Sequence, residues 1–251
     1  MARLVRRMLP GRSAGDGRRP GSRWRRALFA LAALAVAGVC ALALTYRSFG
    51  GAAARLAGSP PTTTAFIERH RATGATPRWT WTPYSEISDE LKLAVLVAED
   101  IDFYSHNGFA TAEIKIAIEQ HLREGRRLRG ASTITQQLAR NLWLSPDRTY
   151  LRKVREAAYT VALERKLRKR RILELYLNVA EFHPGIFGAE AAAQRFFGKP
   201  ARELDASEAA QLAASLPSAA WYPGSANDNH RRHVARVEER MRNAGWVRKL
   251  L

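Results

Sequence analysis

The stretch AVLVAEDIDFYSHNGF, from Ala94 to Phe109, decides the fold around the candidate chemistry of this chain. An apolar run leads directly into two acidic residues, Glu99 and Asp100, and Ser88 precedes the run at a position suited to capping a helix. The pattern therefore predicts a helix over residues 89–99 that delivers a carboxylate to an apolar edge. Desolvation at such an edge raises the pKa of a carboxyl group, which suits a general base or acid near neutral pH. The alternative is an ordinary solvent-exposed glutamate at a helix end.

Two polar clusters follow this stretch. GASTITQQLARN, Gly130 to Asn141, places hydroxyl and amide groups at the start of a predicted helix that Ser132 can cap. The free N–H groups at such a position favour anions and sugar or phosphate oxygens, although an ordinary capped amphipathic helix has the same pattern. In the second cluster, Arg148 to Glu164, four basic residues surround Glu156. This cluster fits either a phosphate clamp or a solvated helix face with an i,i+4 ion pair.

The N-terminal region predicts a membrane anchor. The chain has 251 residues and a formal net charge of +18, and its first 26 residues contain nine arginines and one acid. Residues 27–46 contain no charged side chain, and a helix of that length spans roughly 30 Å, the thickness of a bilayer core. The positive-inside rule places the arginine-rich side, residues 1–26, in the cytoplasm. The alternatives are a buried soluble helix and a cleaved signal peptide, although the apolar run exceeds a usual signal core.

The remaining chain predicts a linker and one outer domain. Residues 47–64 are rich in small residues and proline, which is typical of a linker, and residues 65–251 follow it. Helical periodicity dominates the outer domain, so we expect a mainly α fold. The single cysteine, Cys40, lies in the apolar stretch, and the outer domain therefore has no disulfide. Its excess of basic residues fits lipid head groups and lipid-linked phosphates as partners, and nucleic acid is not expected outside a membrane.

Five segments occur in an order that resembles a known family. They are EDIDFYSHNGF, GASTITQQLARN, RKVREAAYTVALE, RILELYLN and GIFGAEAAAQRFFGKPARELDASEAAQLAA. Together they resemble the five motifs of the peptidoglycan glycosyltransferases and cover roughly residues 85–225. The anchor, the short length and the NVAEF…PGIFGAEAAA wording most resemble the monofunctional biosynthetic branch. The S-x-x-K and K-T-G motifs of the transpeptidase domain in bifunctional relatives do not occur in this sequence.

The resemblance implies an activity, a fold and a location. Such enzymes polymerise lipid II into glycan strands by inverting β-1,4 glycosyl transfer, release undecaprenyl diphosphate and act in cell-wall biogenesis. The implied fold is mainly α and lysozyme-like, with a head lobe and a smaller membrane-proximal jaw lobe supplied by about residues 109–129. The implied location is the bacterial inner membrane, crossed once, with a cytoplasmic N-terminus and a periplasmic catalytic domain. Implied partners are lipid II, the growing lipid-linked strand, membrane lipids and other cell-wall synthesis proteins.

The resemblance also assigns roles to individual residues. Glu99 matches the general base that deprotonates the acceptor's 4-hydroxyl group, and Glu156 matches a second essential glutamate that shapes the donor site or holds a cation. Substrate-binding positions of the family match Ser132, Gln136, Gln137, Arg140, Asn141 and Arg148. Arg140 and Arg148 match those that bind the donor diphosphate. The resemblance implies an enzyme that requires no cofactor. It is also consistent with a divalent cation (Mg²⁺ or Mn²⁺) near the diphosphate.

The chain departs from the family pattern at two positions. Arg140 replaces a usual lysine, which keeps the charge and adds a two-pronged donor, and His183 replaces a common glycine. Neither change removes an expected catalytic group. Behind the candidate base, Phe103, His106 and Gly108 are expected to turn the chain and not to act chemically.

Two rival functions are consistent with parts of the pattern. A lytic transglycosylase or lysozyme cleaves the same bond on a related fold, but its leaving group is a sugar without a diphosphate. The arginines at positions 140 and 148 therefore favour a polymerase over a lytic enzyme. A non-catalytic scaffold that binds lipid II or anionic lipid is the other rival, and the presence of both glutamates argues against it.

Overall fold

The computed structural model describes residues 47–110, 132–147, 149–218 and 221–251, together with five isolated positions between residues 29 and 36. The predicted basic tail, nearly all of the predicted jaw segment and Arg148 lie outside the described residues. The chain divides into two compact units, Met1–Thr45 and Tyr46–Leu251. The five described positions of the first unit are helical. Within the part of the chain that the structure describes, no helix has both the length and the apolar character that crossing a bilayer requires.

The second unit is mainly helical, as the periodicity predicts. Its helices are α1 (residues 47–55), α2 (Ala65–Arg71), α3 (Asp89–Glu99), α4 (Ile134–Trp143), α5 (Tyr150–Lys166), α6 (Lys169–Val179), α7 (Ala189–Phe197), α8 (Ala206–Ser215), α9 (Asp228–Asn243) and α10 (Gly245–Arg248), with 3₁₀ turns at Tyr84–Glu86 and Ala201–Glu203. A small sheet accompanies them, made of β1 (Arg78–Trp79), β2 (Glu181–His183) and β3 (Ile186–Phe187). Its strand order is β1-β3-β2, with β1 parallel and β2 antiparallel to β3. The strands have two or three residues each, which is too short for a periodicity of two to be visible in the sequence.

Helix α3 is the centre of the core. Seven consecutive residues, Leu91 to Val97, are buried, because α8 and α9 pack against this helix. Ser88 caps it as predicted, with its Oγ accepting the Glu90 N–H at 3.1 Å. The same hydroxyl donates to the Leu204 carbonyl at 2.8 Å, which ties the helix start to the segment before α8. The helix therefore holds a fixed position, and so does the glutamate at its end.

The segment predicted as a linker is partly structured. Its first part forms α1, and Ala53 and Leu56 are buried within the hydrophobic core. The Leu56 carbonyl accepts a hydrogen bond from Arg171 Nε at 2.8 Å. This segment is therefore not a free linker over its whole length, because its apolar residues find a place on the helical domain.

The segment that follows β1 is joined to α6 by a buried asparagine. Asn178 Oδ1 accepts the Thr82 N–H at 2.7 Å, and its Nδ2 donates to the Thr82 carbonyl at 2.9 Å. Gly188, which follows β3, approaches the same residue with φ of +84° and ψ of 159°, a conformation available essentially only to glycine. A Cβ atom added at Gly188 would lie 2.6 Å from the Asn178 carbonyl oxygen. The junction thus depends on the absence of a side chain at this position.

Gly188→Ala is expected to destabilise the domain by about 3 kcal/mol or more, because it adds a backbone clash to an unfavourable φ. Gly74 has a similar φ of +83° but open space around its Cβ direction, so Gly74→Ala is the matched control and should cost about 1–2 kcal/mol. Urea unfolding followed by circular dichroism measures both. Equal losses for the two variants would contradict the close approach at Gly188.

Candidate active site

Glu99 is the last residue of α3, and its side chain is only partly exposed. Its Oε2 accepts a hydrogen bond of 2.6 Å from Gln137 Nε2 on α4. Burial is the largest influence on this carboxyl group and raises its pKa, while the Gln137 hydrogen bond and the Arg140 charge act in the opposite direction. The negative charge of Asp100 adds a smaller upward contribution. The predicted helix thus delivers a carboxylate of raised pKa to an edge of the core.

The Gln137 amide contacts more than the carboxylate. Its Nε2 also donates to the Ser132 carbonyl at 3.4 Å, and its Oε1 accepts from the Tyr176 hydroxyl at 3.0 Å. Tyr176 lies on α6 and is 1% exposed. Tyr176 is not among the predicted site residues, because the surrounding LELYLN pattern is that of an ordinary buried helix face. A hydroxyl group within such a buried face was the one available signal, since a buried tyrosine O–H needs a partner.

Asp100 joins the end of α3 to the start of α4. This buried carboxylate accepts the Ile134 N–H on Oδ2 at 2.9 Å, and its Oδ1 lies 2.9 Å from His106 Nε2. The Gly108 N–H donates to His106 Nδ1 at 3.1 Å, so Nδ1 is the acceptor and Nε2 carries the proton that faces Asp100. The carboxylate also lies at a helix N-terminus, where the dipole favours negative charge.

The predicted frame behind Glu99 is present in the structure. The Phe103 ring is fully buried and lies edge-on to the His106 ring, with centroids 6.3 Å apart. Gly108 has φ of +89°, and a Cβ there would lie 2.7 Å from Thr160 Cγ2. The Gly108 carbonyl accepts from Thr133 Oγ1 at 2.7 Å. These residues shape the chain as expected, and their contacts are with the protein itself.

Helix α4 begins one residue later than the predicted cap implies. The cap is Thr133, not Ser132, and its Oγ1 accepts the Gln136 N–H at 3.2 Å. The Gln136 side chain returns a hydrogen bond by accepting the Thr133 N–H on Oε1 at 3.0 Å, which completes a capping box. Gln136, a predicted substrate residue, is therefore buried and engaged in holding the helix start. Ser132 lies just before the Thr133 cap and is partly exposed.

One face of α4 is turned toward Glu99. Gln137 and Arg140, three residues apart, lie on this face, and both are partly exposed. The Arg140 charge acts on Glu99 and also on Tyr176, lowering the pKa of both groups. Asn141 follows on the same helix and is buried. The structure thus brings Glu99, Gln137 and Arg140 together and places Asn141 beside them in the chain.

The end of α3 is also supported from α9. Arg240 Nη1 donates to the Val97 carbonyl at 3.0 Å. This carbonyl belongs to the last turn of α3, where backbone acceptors lack partners within the helix. The contact helps to fix the turn that carries Glu99, and no local pattern predicts it because the two residues are 143 positions apart.

Glu156 is buried in α5 with its own cations. Its side chain is 1% exposed, Arg152 Nη1 lies 2.8 Å from Oε2, and Lys153 Nζ contacts Oε1. The i,i+4 ion pair of the solvated-face alternative is therefore present between Arg152 and Glu156, but Glu156 is buried and does not lie on a solvated face. A buried carboxylate requires such partners, since removing one would leave an uncompensated charge. The described residues contain no cluster of three or more His, Cys, Asp or Glu side chains arranged to hold a metal ion.

Comparison with known proteins identifies the family. The family model described as Transglycosylase matches residues 67–242. A biosynthetic peptidoglycan transglycosylase of Azoarcus sp. (strain BH72) is 51% identical over 164 residues, which are 65% of this chain and 71% of the relative. Proteins of the same name from Thiobacillus denitrificans and Laribacter hongkongensis are 46% identical over 177 residues and 43% identical over 189 residues. These alignments cover 68% and 73% of this chain, and 74% and 83% of the respective relatives. The matched span contains Glu99, all of α4 and Glu156, and the chain belongs to the transglycosylase family.

Proposed function

We propose that this protein is a monofunctional peptidoglycan glycosyltransferase that polymerises lipid II into glycan strands during cell-wall synthesis. The family match and the similarity to named biosynthetic peptidoglycan transglycosylases support the reaction class. The structural observation that carries the proposal is the partly exposed Glu99 carboxylate. Its Oε2 accepts a hydrogen bond of 2.6 Å from Gln137 Nε2, and the charge of Arg140 lowers its pKa.

Glu99 is the proposed general base. Its carboxylate takes the proton of the acceptor's 4-hydroxyl group, and that oxygen attacks the anomeric carbon of the donor sugar. The bond between this carbon and the diphosphate oxygen breaks, its electron pair leaves with undecaprenyl diphosphate, and the configuration inverts to a β-1,4 linkage. The raised pKa of Glu99 makes it a stronger base than an ordinary glutamate.

Basic residues stabilise the leaving group in this proposal. Negative charge accumulates on the departing diphosphate, so a cation there binds the transition state more strongly than the ground state. The charge effect of Arg140 on Glu99 supports this role for Arg140, and Arg148 is proposed to share it. The donor groove is proposed to include Ser132, Gln136, Gln137 and Asn141.

Glu156 is proposed to shape the donor site through its cations. Its buried carboxylate fixes Arg152 and Lys153, which lie in the first turn of α5 just after Arg148 in the chain. The reaction as written uses no cofactor, and Mg²⁺ or Mn²⁺ would be held mainly by the diphosphate oxygens of the substrate.

The proposed location follows from the substrate and from the N-terminal sequence. Lipid II is anchored in the membrane, so the catalytic domain must work at its surface. We propose that residues 27–46 anchor the protein once in the bacterial inner membrane, with residues 1–26 in the cytoplasm and the catalytic domain in the periplasm. Membrane lipids and other cell-wall synthesis proteins are then its neighbours.

A direct assay separates the proposal from its rivals. The detergent-solubilised full-length protein is incubated with labelled lipid II, and the products are separated by gel electrophoresis. Growth of glycan strands is expected. Degradation of preformed glycan without growth would identify a lytic enzyme, and binding without either reaction would identify a scaffold.

Replacing Glu99 by glutamine should lower polymerisation by about 10²–10⁴-fold, because the amide cannot accept the hydroxyl proton. Binding of lipid II should change little. Strand growth from lipid II and retention of labelled lipid II on the immobilised protein measure the two properties. Glu86→Gln, at an exposed glutamate, is the control and should polymerise at the wild-type rate. A Glu99→Gln variant as active as wild type would exclude Glu99 as the base.

The rate should depend on pH through Glu99. The base acts when deprotonated, so kcat/KM is expected to fall as the pH drops through the pKa of this carboxyl group. Because burial raises that pKa, the fall should begin at a higher pH than the value of about 4.3 for a free glutamate would give. Initial rates between pH 4 and 9 test this, and an acid limb at or below the free value would contradict it.

Replacing Arg140 by alanine should raise KM for lipid II and lower kcat, together by about 10-fold or more, since a diphosphate contact is lost. The acid limb should also move to higher pH, because the Arg140 charge lowers the pKa of Glu99. Arg140→Lys keeps the charge and should retain most activity. Steady-state kinetics measure these effects, with Arg232→Ala on the exposed side of α9 as control. Equal behaviour of the alanine variants would exclude the diphosphate role.

A further inference from the structure

We propose that Tyr176 is a positioning residue for the transfer reaction, because its hydroxyl group fixes the Gln137 amide that donates to Glu99. This inference rests on the proposed function of Glu99 as the base. Tyr176 acts through Gln137, and the described contacts of its hydroxyl are with the protein.

The observation is a chain of hydrogen bonds that joins three helices. Tyr176 on α6 donates from its hydroxyl to Gln137 Oε1 at 3.0 Å. Gln137 on α4 donates from Nε2 to Glu99 Oε2, at the end of α3, at 2.6 Å. The first link has an ordinary length and the second is short, so the phenol and the carboxylate hold opposite ends of one amide group.

The surroundings of Gln137 allow only one orientation of its amide. Nε2 has two hydrogens, one facing Glu99 and the other facing the Ser132 carbonyl at 3.4 Å. If the amide rotated by 180°, Oε1 would face two acceptor oxygens and repel both. The Tyr176 O–H holds Oε1 on the far side, so the N–H end remains toward Glu99.

This orientation matters after the base has taken its proton. Ser132 and Tyr176 hold the amide whether Glu99 is charged or neutral, since neither contact involves the carboxyl group. A fixed N–H donor favours the ionised form, and it therefore opposes the effect of burial and helps Glu99 to release the proton. The Tyr176 hydrogen bond on the oxygen end strengthens this hold on the amide.

The hydroxyl group of Tyr176 is suited to this task. Burial raises its pKa well above the ordinary value of 10, so the group stays protonated and remains a donor throughout the working pH range. Glu99 at the end of α3 has the largest charge effect on Tyr176, and Arg140 on α4 and Asp100 beside Glu99 act on both groups. The phenol donates its hydrogen bond to Gln137 and not to either carboxylate.

Tyr176→Phe tests the inference, because it removes the hydroxyl and keeps the buried ring. We expect the acid limb of the kcat/KM profile to move to higher pH by about half to one pH unit, since a net hydrogen bond is lost beside the carboxylate. The rate should fall about 3–10-fold on the acid side of the limb and change little on its alkaline side. The measurement is strand growth from lipid II by the full-length protein between pH 4 and 9.

Two further variants separate positioning from a structural effect. Tyr84→Phe, at a buried tyrosine on the 3₁₀ turn, is the matched control and should leave the limb in place. In a Gln137→Ala background, Tyr176→Phe should cause no further shift, because the group through which it acts is gone. Thermal unfolding of each variant shows that the rates refer to folded protein.

The outcomes distinguish this inference from the proposed function. Strand growth by the wild type together with an unmoved limb in Tyr176→Phe overturns the positioning role and leaves the function intact. A shift that persists in the Gln137→Ala background also overturns it. If the wild type itself fails to extend lipid II, both proposals fall together.

Discussion

The site depends on the hydrogen bond between the buried Asp100 carboxylate and the start of α4. This carboxylate accepts the first free N–H group of α4 on one oxygen and contacts His106 with the other. Because Asp100 directly follows Glu99, this bond places the end of α3 against the start of α4. The 2.6 Å contact between Glu99 and Gln137 then follows from the positions of two helices. A neutral residue at position 100 would leave the helix terminus without the charge that its dipole favours.

Opposing effects set the pKa of Glu99. Packing of α3 in the core removes water from the carboxyl group and raises its pKa, and this is the largest effect. The amide of Gln137 and the charge of Arg140 oppose it and keep the ionised form accessible. A base needs both conditions, since a fully solvated carboxylate is weak and a fully desolvated one stays protonated. The two helices supply one condition each.

Local sequence patterns predicted much of this structure, but the contacts between residues distant in sequence could not be predicted from them. The α3 helix and its Ser88 cap follow from neighbouring residues, whose capping chemistry is local. The partly buried state of Glu99 was predicted from the same run. Tyr176 could not be assigned, because its hydroxyl meets Gln137 only after α4 and α6 have packed, 39 positions apart. Position 136 was assigned to the substrate groove on resemblance, while its capping role depends on the one-residue shift of the cap to Thr133.

The hydrogen bond from Thr133 to the Gly108 carbonyl has a consequence for how the chain tolerates change. It joins two residues that are 25 positions apart, on either side of the predicted jaw segment. The two ends of that segment therefore leave and re-enter the domain at one closed point. Loop-closure entropy changes slowly with length, so length changes between these residues are expected to cost little stability and to leave α3 and α4 in place. Changes confined to the predicted jaw segment are therefore expected to leave the hydrogen bonds of Glu99 and Asp100 in place.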